Sequence, residues 1–155
     1  MKRFGRFLIV PLLLVIAACA TAPPVAVSFP PQPAGTARIV LYRDIGYYDP
    51  ANVLTVSLND KITGAVGRGE VIYRDVTPGT YTISFTPTRV VINQFKTVTV
   101  APGNIFYVKI DAMPERPCAG TRGAVGECDI DGFTGTVMDP AIARQEITGL
   151  RLGQG

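Results

Sequence analysis

From Ala37 to Ile110 the chain consists of short stretches of alternating apolar and polar residues, separated by turn signals. "VLTVSLND" and "GTYTISF" carry apolar side chains at every second position, whereas "RIVLY" is a continuous apolar run. A period of two is typical of a strand with one buried face, and a short continuous run suits a fully buried strand. Several such stretches in succession predict a mostly β fold, an antiparallel sandwich or barrel.

Three turn signals separate these predicted strands. Asn59-Asp60-Lys61 predicts a turn because Asn and Asp tolerate left-handed backbone. Thr77-Pro78-Gly79-Thr80 fits a type II turn, which takes Pro at its second position and Gly at its third. Ala101-Pro102-Gly103-Asn104 repeats the same pattern before the next alternating stretch.

A short helix is predicted near the C-terminal end of the sequence. Asp139-Pro140 reads as an N-cap followed by proline in the first turn, and Gly149 ends the helical stretch "AIARQEITGL". Ala143, Ile147 and Leu150 then fall on one stripe. We therefore expect this stripe to pack against the sheet.

Residues 1–18 have the pattern of a secretory signal peptide. Basic residues precede an apolar stretch over residues 7–18, which is 12 residues long. A membrane span needs about 20 residues, so an uncleaved anchor is the weaker alternative, and Pro11 also disfavours it.

Ile16-Ala17-Ala18-Cys19 resembles the bacterial lipobox, an aliphatic residue and two small ones before a cysteine. The resemblance implies cleavage between Ala18 and Cys19, a diacylglycerol on the Cys19 sulfur and an acylated amine. Two or more acyl chains anchor a protein stably, so the membrane is the first expected partner. Ala20 stands where inner-membrane lipoproteins of enterobacteria typically carry Asp, which favours the outer membrane, facing the periplasm.

Residues 19–36 are predicted to be the lipidated cysteine and a tether, and residues 37–155 the folded domain. The stretch "ATAPPVAVSFPPQPAGT" contains five prolines and has little periodicity. Proline favours an extended backbone, so this stretch would lift the domain off the lipid surface. Val25, Val27 and Phe29 alternate, which leaves a short edge strand as the less favoured alternative.

The positive charge of the chain lies in the predicted signal peptide. The whole sequence has 15 Lys and Arg against 12 Asp and Glu, a net charge of +3. Lys2, Arg3 and Arg6 account for the excess, so the mature protein is formally neutral. Without a basic surface, nucleic acid is not an expected partner.

Cys118 and Cys128 remain as a pair in an oxidising compartment and bracket a glycine-rich stretch. We predict a disulfide between them. The alternatives are two free thiols or a metal pair, and the absence of histidine from the sequence disfavours zinc.

The sequence contains no histidine and no tryptophan. Most Ser-His and Cys-His catalytic arrangements are therefore excluded, and we expect neither an enzyme nor a bound cofactor or metal. Glu127, Asp129 and Asp131 alternate and leave a Ca²⁺ site open, although a solvated acidic loop is favoured.

Two further motifs are candidates for function or architecture. Tyr47 and Tyr48 stand in the loop "DIGYYDPAN" and are the candidate contacts for a ligand or partner, the alternative being packing at the core edge. "YRD" occurs twice, as 42–44 and 73–75, and predicts neighbouring strand ends joined by ion pairs.

The stretches "ARIVLYR", "LTVSLNDKITGAV", "YRDVTPGTYTISF" and "IFYVKI" together resemble a family of small bacterial lipoproteins of unknown function. These have a prealbumin-like (transthyretin-like) β-sandwich domain, and the resemblance covers about residues 37–152. It implies an antiparallel prealbumin-like sandwich with a short C-terminal helix and an envelope location. It implies no functional residue.

The expected function is a non-enzymatic binding or structural module of the envelope, with an envelope protein as partner. The first alternative is a small-ligand or glycan-binding module that uses Tyr47 and Tyr48. A hydrolase that relies on carboxylates alone is the least favoured alternative.

Overall fold

A computed structural model of the chain describes residues 26–46, 53–86, 95–114 and 130–153. These residues form nine strands and one helix: β1 (Ala37–Tyr42), β2 (Leu54–Leu58), β3 (Lys61–Val66), β4 (Glu70–Val76), β5 (Gly79–Thr86), β6 (Phe95–Val100), β7 (Ile105–Pro114), β8 (Ile130–Met138), α1 (Pro140–Glu146) and β9 (Arg151–Leu152). The mostly β prediction is confirmed. Within the described ranges, no helix is long and apolar enough to cross a membrane.

The strands form two sheets, one mixed and one antiparallel. The first has the order β8-β7-β1-β4-β9 and the second the order β3-β2-β5-β6. In the first sheet β1 pairs with β7, and β4 with β9, in parallel. The prediction of a wholly antiparallel sandwich is therefore wrong for this sheet. Alternation along one strand reports which faces are buried and carries no information on the direction of the neighbouring strand.

The main core lies between the two sheets and consists of apolar side chains. Its members include Ile39 and Leu41 of β1, Val56 of β2, and Ile83 and Phe85 of β5, all exposed by 1% or less. Each such side chain contributes about 1.5–3 kcal/mol when it is fully buried. The period-two stretches of β2 and β5 thus form this interior, as their pattern predicted.

A second apolar cluster covers the outer face of the first sheet. Its side chains come from strands β1, β4, β7 and β8, from the helix and the residues just after it, and from the chain before β1. They are Val27, Phe29, Val40, Tyr42, Val71, Tyr73, Ile105, Tyr107, Met138, Ala143, Ile147 and Leu150. Because β1 lies under both clusters, all six of its residues are buried. This confirms the buried strand predicted from the continuous apolar run.

The helix begins and packs as the sequence predicted. The Asp139 carboxylate accepts hydrogen bonds from the backbone N–H groups of Ala141 (2.8 Å) and Ile142 (3.4 Å). The stripe of Ala143, Ile147 and Leu150 is buried against the sheet. The helix itself ends at Glu146, and the left-handed Gly149, with φ +88°, follows.

Two of the three predicted turns are confirmed. Asn59 (φ 49°) and Asp60 (φ 62°) are both left-handed and join β2 to β3 as a two-residue hairpin loop. Gly103 has φ +76°, and the Asn104 N–H donates to the Ala101 carbonyl at 3.2 Å. The type II turn predicted at residues 77–80 is wrong. Gly79 is extended (φ 158°) and already pairs with β6, so β5 begins one residue before Thr80.

Candidate functional site

Most residues that the sequence singled out lie outside the described residues. These are the lipobox residues Ala18 and Cys19, the tyrosines Tyr47 and Tyr48, the cysteines Cys118 and Cys128, and the carboxylates Glu127 and Asp129. Asp131 belongs to β8, where only its backbone is described. Among the described residues, no group of three or more Cys, Asp or Glu side chains has the geometry to hold a metal ion.

The two ends of the tyrosine loop are described, and both expose an aliphatic side chain. Ile45 is 63% exposed and Val53 is 55% exposed. Ile45 lies over Gly69, where an added Cβ would meet its Cγ1 at 2.9 Å, so a side chain at 69 would displace it. The loop that carries Tyr47 and Tyr48 is thus flanked by apolar surface.

Four side chains form a polar cluster between the helix and the first sheet, here called the Tyr42–Glu146 cluster: Tyr42, Asp44, Lys109 and Glu146. The Tyr42 hydroxyl donates to Glu146 Oε2 at 2.7 Å, and Lys109 Nζ lies 3.2 Å from Glu146 Oε1. Lys109 Nζ also lies 3.8 Å from Asp44 Oδ2. Tyr42 and Lys109 can both reach Glu146 because they are paired neighbours on the parallel strands β1 and β7.

The environment of Tyr42 keeps its phenol protonated. Burial raises the pKa of Tyr42 first, and the hydrogen bond to Glu146 raises this pKa further. A phenol in this state is a hydrogen-bond donor and not a base. Both Glu146 oxygens have partners, so the cluster serves to attach the helix to the sheet.

A second cluster surrounds Arg38, here called the Arg38 clamp. Arg38 Nε and Nη2 donate to the two Asp75 carboxylate oxygens at 2.6 and 2.8 Å, and Nη1 donates to the Pro30 carbonyl at 2.7 Å. Arg38 and Asp75 are paired residues of β1 and β4. The hydrogen bond from Arg38 to Asp75 raises the pKa of Arg38, which is only 3% exposed. A bidentate, largely desolvated pair of this kind fixes geometry as well as charge.

Two aromatic rings complete the Arg38 clamp. The Arg38 Cζ atom lies 4.6 Å from the Tyr73 ring centroid and 5.9 Å from that of Phe29. The two rings contact each other at a centroid distance of 5.3 Å. Phe29 is therefore held to β4 by aromatic and cation–π contacts.

Hydrogen bonds to backbone carbonyls also hold the chain between Phe29 and β1. The Gln32 amide donates to the Thr36 carbonyl at 2.7 Å, and the Gly103 N–H donates to the same carbonyl at 2.8 Å. The Arg38 N–H donates to the Asn104 carbonyl at 2.9 Å. Residues 27–36, here called the N-terminal segment, were predicted to be part of the tether, and they lie against the first sheet and the turn before β7.

The two "YRD" repeats lie at opposite ends of the β1–β4 pair, so the prediction of neighbouring strand ends is wrong. The strands are antiparallel, with Tyr42 opposite Val71 and Tyr73 opposite Val40. Antiparallel neighbours bring identical motifs together only when the register places their centres opposite each other.

The arginines of the two repeats nevertheless share a role that the sequence did not predict. Arg43 Nη1 donates to the Val66 carbonyl at 3.4 Å, and Arg74 Nε donates to the Thr63 carbonyl. Both acceptors belong to β3, an edge strand of the opposite sheet. Arg43 is fully buried, with its Cζ atom 4.9 Å from the Phe133 ring centroid. The two arginines therefore link the sheets along one side of the sandwich.

Sequence reasoning missed the Arg38 clamp, although one signal was available. Arg38 is a charged residue at the start of an apolar run that is otherwise typical of a buried strand. A charged side chain is almost never fully buried without a partner, so the run itself indicated an acidic partner. Its identity, Asp75, follows only from the strand pairing.

The fold and these clusters define a mostly β, two-sheet protein whose outer polar side chains connect its own elements. The chain belongs to the family described as "Protein of unknown function (DUF2846)", whose model matches residues 33–124, more than half of the chain. The match runs from the N-terminal segment past β7, so β8, α1 and β9 follow it. No curated protein and no solved structure shows significant similarity to the chain.

Proposed function

We propose that this protein is a bacterial envelope lipoprotein: a β-sandwich of the prealbumin-like type, lipid-anchored at Cys19, that serves as a non-enzymatic binding or structural module. Its location is the outer membrane, facing the periplasm. The observation that carries the proposal is Ile16-Ala17-Ala18-Cys19 at the end of a basic and then apolar leader.

The described polar clusters support a module without catalysis. Tyr42 is held as a protonated donor to Glu146, and all three Arg38 guanidinium nitrogens donate to Asp75 or the Pro30 carbonyl. Groups committed to internal contacts of this kind are not available to transfer a proton to a substrate. Together with the absence of histidine from the sequence, this favours a protein that acts through its surface and its anchor.

Mass spectrometry of the mature N-terminus tests the anchor directly. We expect the chain to begin at Cys19 and to carry a diacylglycerol on sulfur and a further acyl group on the amine. Cys19→Ser is the matched control and should keep its leader and lose lipid labelling. A native chain that starts at Met1, or that is cleaved elsewhere, contradicts the lipoprotein assignment.

Membrane fractionation in an enterobacterial host tests the location. The native protein should sediment with the outer membrane, whereas Ala20→Asp should move it to the inner membrane. Ala20→Ser, which keeps a small residue, serves as the control and should behave like the native chain. Inner-membrane recovery of the native protein contradicts the proposed location and leaves the lipid anchor unaffected.

The predicted Cys118–Cys128 disulfide belongs to the same proposal, since it requires an oxidising compartment. Peptide mapping under non-reducing conditions should yield one linked pair of peptides that separates on reduction. Recovery of two free thiols from the exported protein contradicts the bridge.

A second candidate function is recognition of a small ligand or glycan by Tyr47 and Tyr48. It is favoured by the exposed Ile45 and Val53, which provide apolar surface on both sides of the loop. A photoreactive residue at Tyr48 should capture a small ligand or a glycan in living cells. The same residue at exposed Lys61, in the β2–β3 hairpin, is the control. Equal labelling from both positions contradicts a role for the tyrosine loop.

A further inference from the structure

We propose that the Arg38 clamp docks the N-terminal segment onto the outer face of the first sheet, so that only residues 20–26 remain as the tether. The consequence for the distance from the membrane rests on the proposed lipid anchor at Cys19. The docking itself rests on the contacts of the described residues.

The docked segment is held at several independent points. Pro30 is bound through its carbonyl by the buried Arg38, and the Phe29 ring packs on Tyr73. Val27 and Phe29 both pack against the second apolar cluster. The Thr36 carbonyl accepts from the Gly103 N–H, which ties the end of the segment to the turn before β7.

Charge and burial explain why Arg38 is the central contact. Arg38 is 3% exposed, and its Nε and Nη2 donate to Asp75 while Nη1 donates to the Pro30 carbonyl. A buried arginine whose donors were left without acceptors would lose hydration without compensation. The Pro30 carbonyl supplies the acceptor for Nη1, so the segment and the buried arginine stabilise each other.

This docking sets the reach of the domain above the lipid. Val27 stands eight residues after Cys19. An extended chain spans about 3.1–3.6 Å per residue, so Val27 lies at most about 25–29 Å from the anchor. If the segment detached up to Ala37, which is 18 residues after Cys19, the maximum reach would rise to about 56–65 Å. The docked state therefore confines the domain to the membrane-proximal layer.

The side from which the chain leaves the domain is also determined. The N-terminal segment and α1 cover the same outer face of the first sheet. The tether consequently begins on this face, and the second sheet lies on the other side of the main core. The surface closest to the attachment point is thus the helix-bearing face.

Spin-label distances in the full-length protein in detergent test the docking. One label replaces Ser28 of the N-terminal segment and the other replaces exposed Lys61, both introduced as unnatural amino acids so that the native cysteines stay intact. The native background should give one narrow distance distribution. Arg38→Ala should broaden it to a spread of about 15–20 Å, the excursion of a flexible chain of ten residues.

Two further variants make the result decisive. Arg151→Ala removes an arginine that is 77% exposed and lies outside the clamp, and it should leave the distribution narrow. Phe29→Ala keeps the Arg38–Asp75 pair and should broaden the distribution less than Arg38→Ala does. Phe29→Ala also tests the docking of the N-terminal segment if Arg38→Ala fails to fold. A narrow distribution in folded Arg38→Ala, or in Phe29→Ala if Arg38→Ala is unfolded, overturns the docking.

Energy transfer from a dye at Lys61 to lipid-headgroup acceptors then tests the reach in vesicles. The lipidated native protein and Arg151→Ala should transfer strongly, and Arg38→Ala should transfer less because its domain moves outward. Equal transfer by Arg38→Ala and the native protein overturns the restricted reach. A native chain that does not bind the vesicles contradicts the lipid anchor instead, and the spin-label result still decides the docking.

Discussion

The two faces of the first sheet are covered in different ways. The inner face packs against the second sheet through aliphatic side chains and the buried Phe85 and Phe133, with Phe106 and Tyr81 partly buried beside them. The outer face packs against a seven-residue helix and the N-terminal segment through tyrosines, and polar groups surround its rim. Tyrosine suits this position because its ring is apolar and its hydroxyl binds a partner at the edge.

The difference indicates how each layer is stabilised. The inner core is stabilised by burial of apolar surface, which is a non-directional effect. Because its side chains are closely packed, removal of a side chain there leaves a cavity and lowers stability. The outer layer consists of short elements, and hydrogen bonds such as Tyr42–Glu146 and Arg38–Pro30 attach them to the sheet. Isolated helices as short as α1 are not stable in water and depend on such packing. Removing a side chain should therefore cost more in the inner layer than in the outer one.

Truncation of an inner aromatic side chain should have the largest effect. Phe85→Ala empties a site that is 1% exposed and should lower the free energy of unfolding by about 3–5 kcal/mol in urea denaturation. Phe29→Ala, the same change in the outer layer, should cost less than half as much. Equal losses for the two variants would show that the layers do not differ in this way.

Overfilling the inner layer should have the next largest effect. A Cβ at Gly135 of β8 would lie 3.0 Å from two Phe85 ring atoms and 3.2 Å from Val108 Cγ1. Gly135→Ala should therefore cost about 1–3 kcal/mol in the same measurement. Adding Phe85→Leu, which makes room, should give a double variant more stable than the sum of the two single losses. Strict additivity would contradict this contact.

Loss of the Tyr42 hydroxyl tests the outer layer. Tyr42→Phe removes a hydrogen bond to a carboxylate and should lower the free energy of unfolding by about 1.5 kcal/mol. Tyr81→Phe is the matched control, since the Tyr81 hydroxyl donates to the Thr77 carbonyl at an exposed position. Tyr81→Phe should lower the free energy of unfolding by less than Tyr42→Phe does. An equal loss in the two variants would contradict the role of the Tyr42 hydroxyl.

The same pair of variants predicts a pH dependence. The pKa of Tyr42 is raised in the folded state above its unfolded value of about 10. The contribution of the Tyr42 hydroxyl to the free energy of unfolding is therefore fully present below pH of about 10. It is lost as the pH rises from there toward the pKa of Tyr42 in the folded state. The stability advantage of the native protein over Tyr42→Phe should shrink above that pH. An advantage that is constant between pH of about 9 and pH of about 11.5 would contradict the raised pKa.

The helix cap should have the smallest of these effects. Asp139→Ala removes the acceptor of the Ala141 and Ile142 N–H groups and should cost about 1 kcal/mol. Asp139→Asn retains a capping oxygen and should stay close to the native stability. Hydrogen exchange at the Ala143 and Ile147 amides should report the loss locally. Faster exchange in Asp139→Asn than in Asp139→Ala would contradict the assignment of Asp139 as the N-cap of the helix.

Local patterns predicted the elements well and their partners poorly. The apolar run of β1, the left-handed Asn59-Asp60 turn and the capped helix at Asp139 all follow from residues within one element. The parallel pairing of β1 with β7 and the distance between the two "YRD" repeats depend on residues far apart in the chain. The lipobox, the tyrosine loop and the cysteine pair lie outside the described residues and stay predictions.

The sequence by itself determined most of the strands, though not β9, as well as where the helix begins and which faces are apolar, because side-chain periodicity and capping act within a few residues. Only the tertiary structure decided that the first sheet is mixed, that Asp75 and Pro30 accept hydrogen bonds from Arg38, and that Arg43 and Arg74 reach β3. These arrangements depend on strand order and register. They are set by the simultaneous burial of both faces of β1, to which residues from the whole described part of the chain contribute.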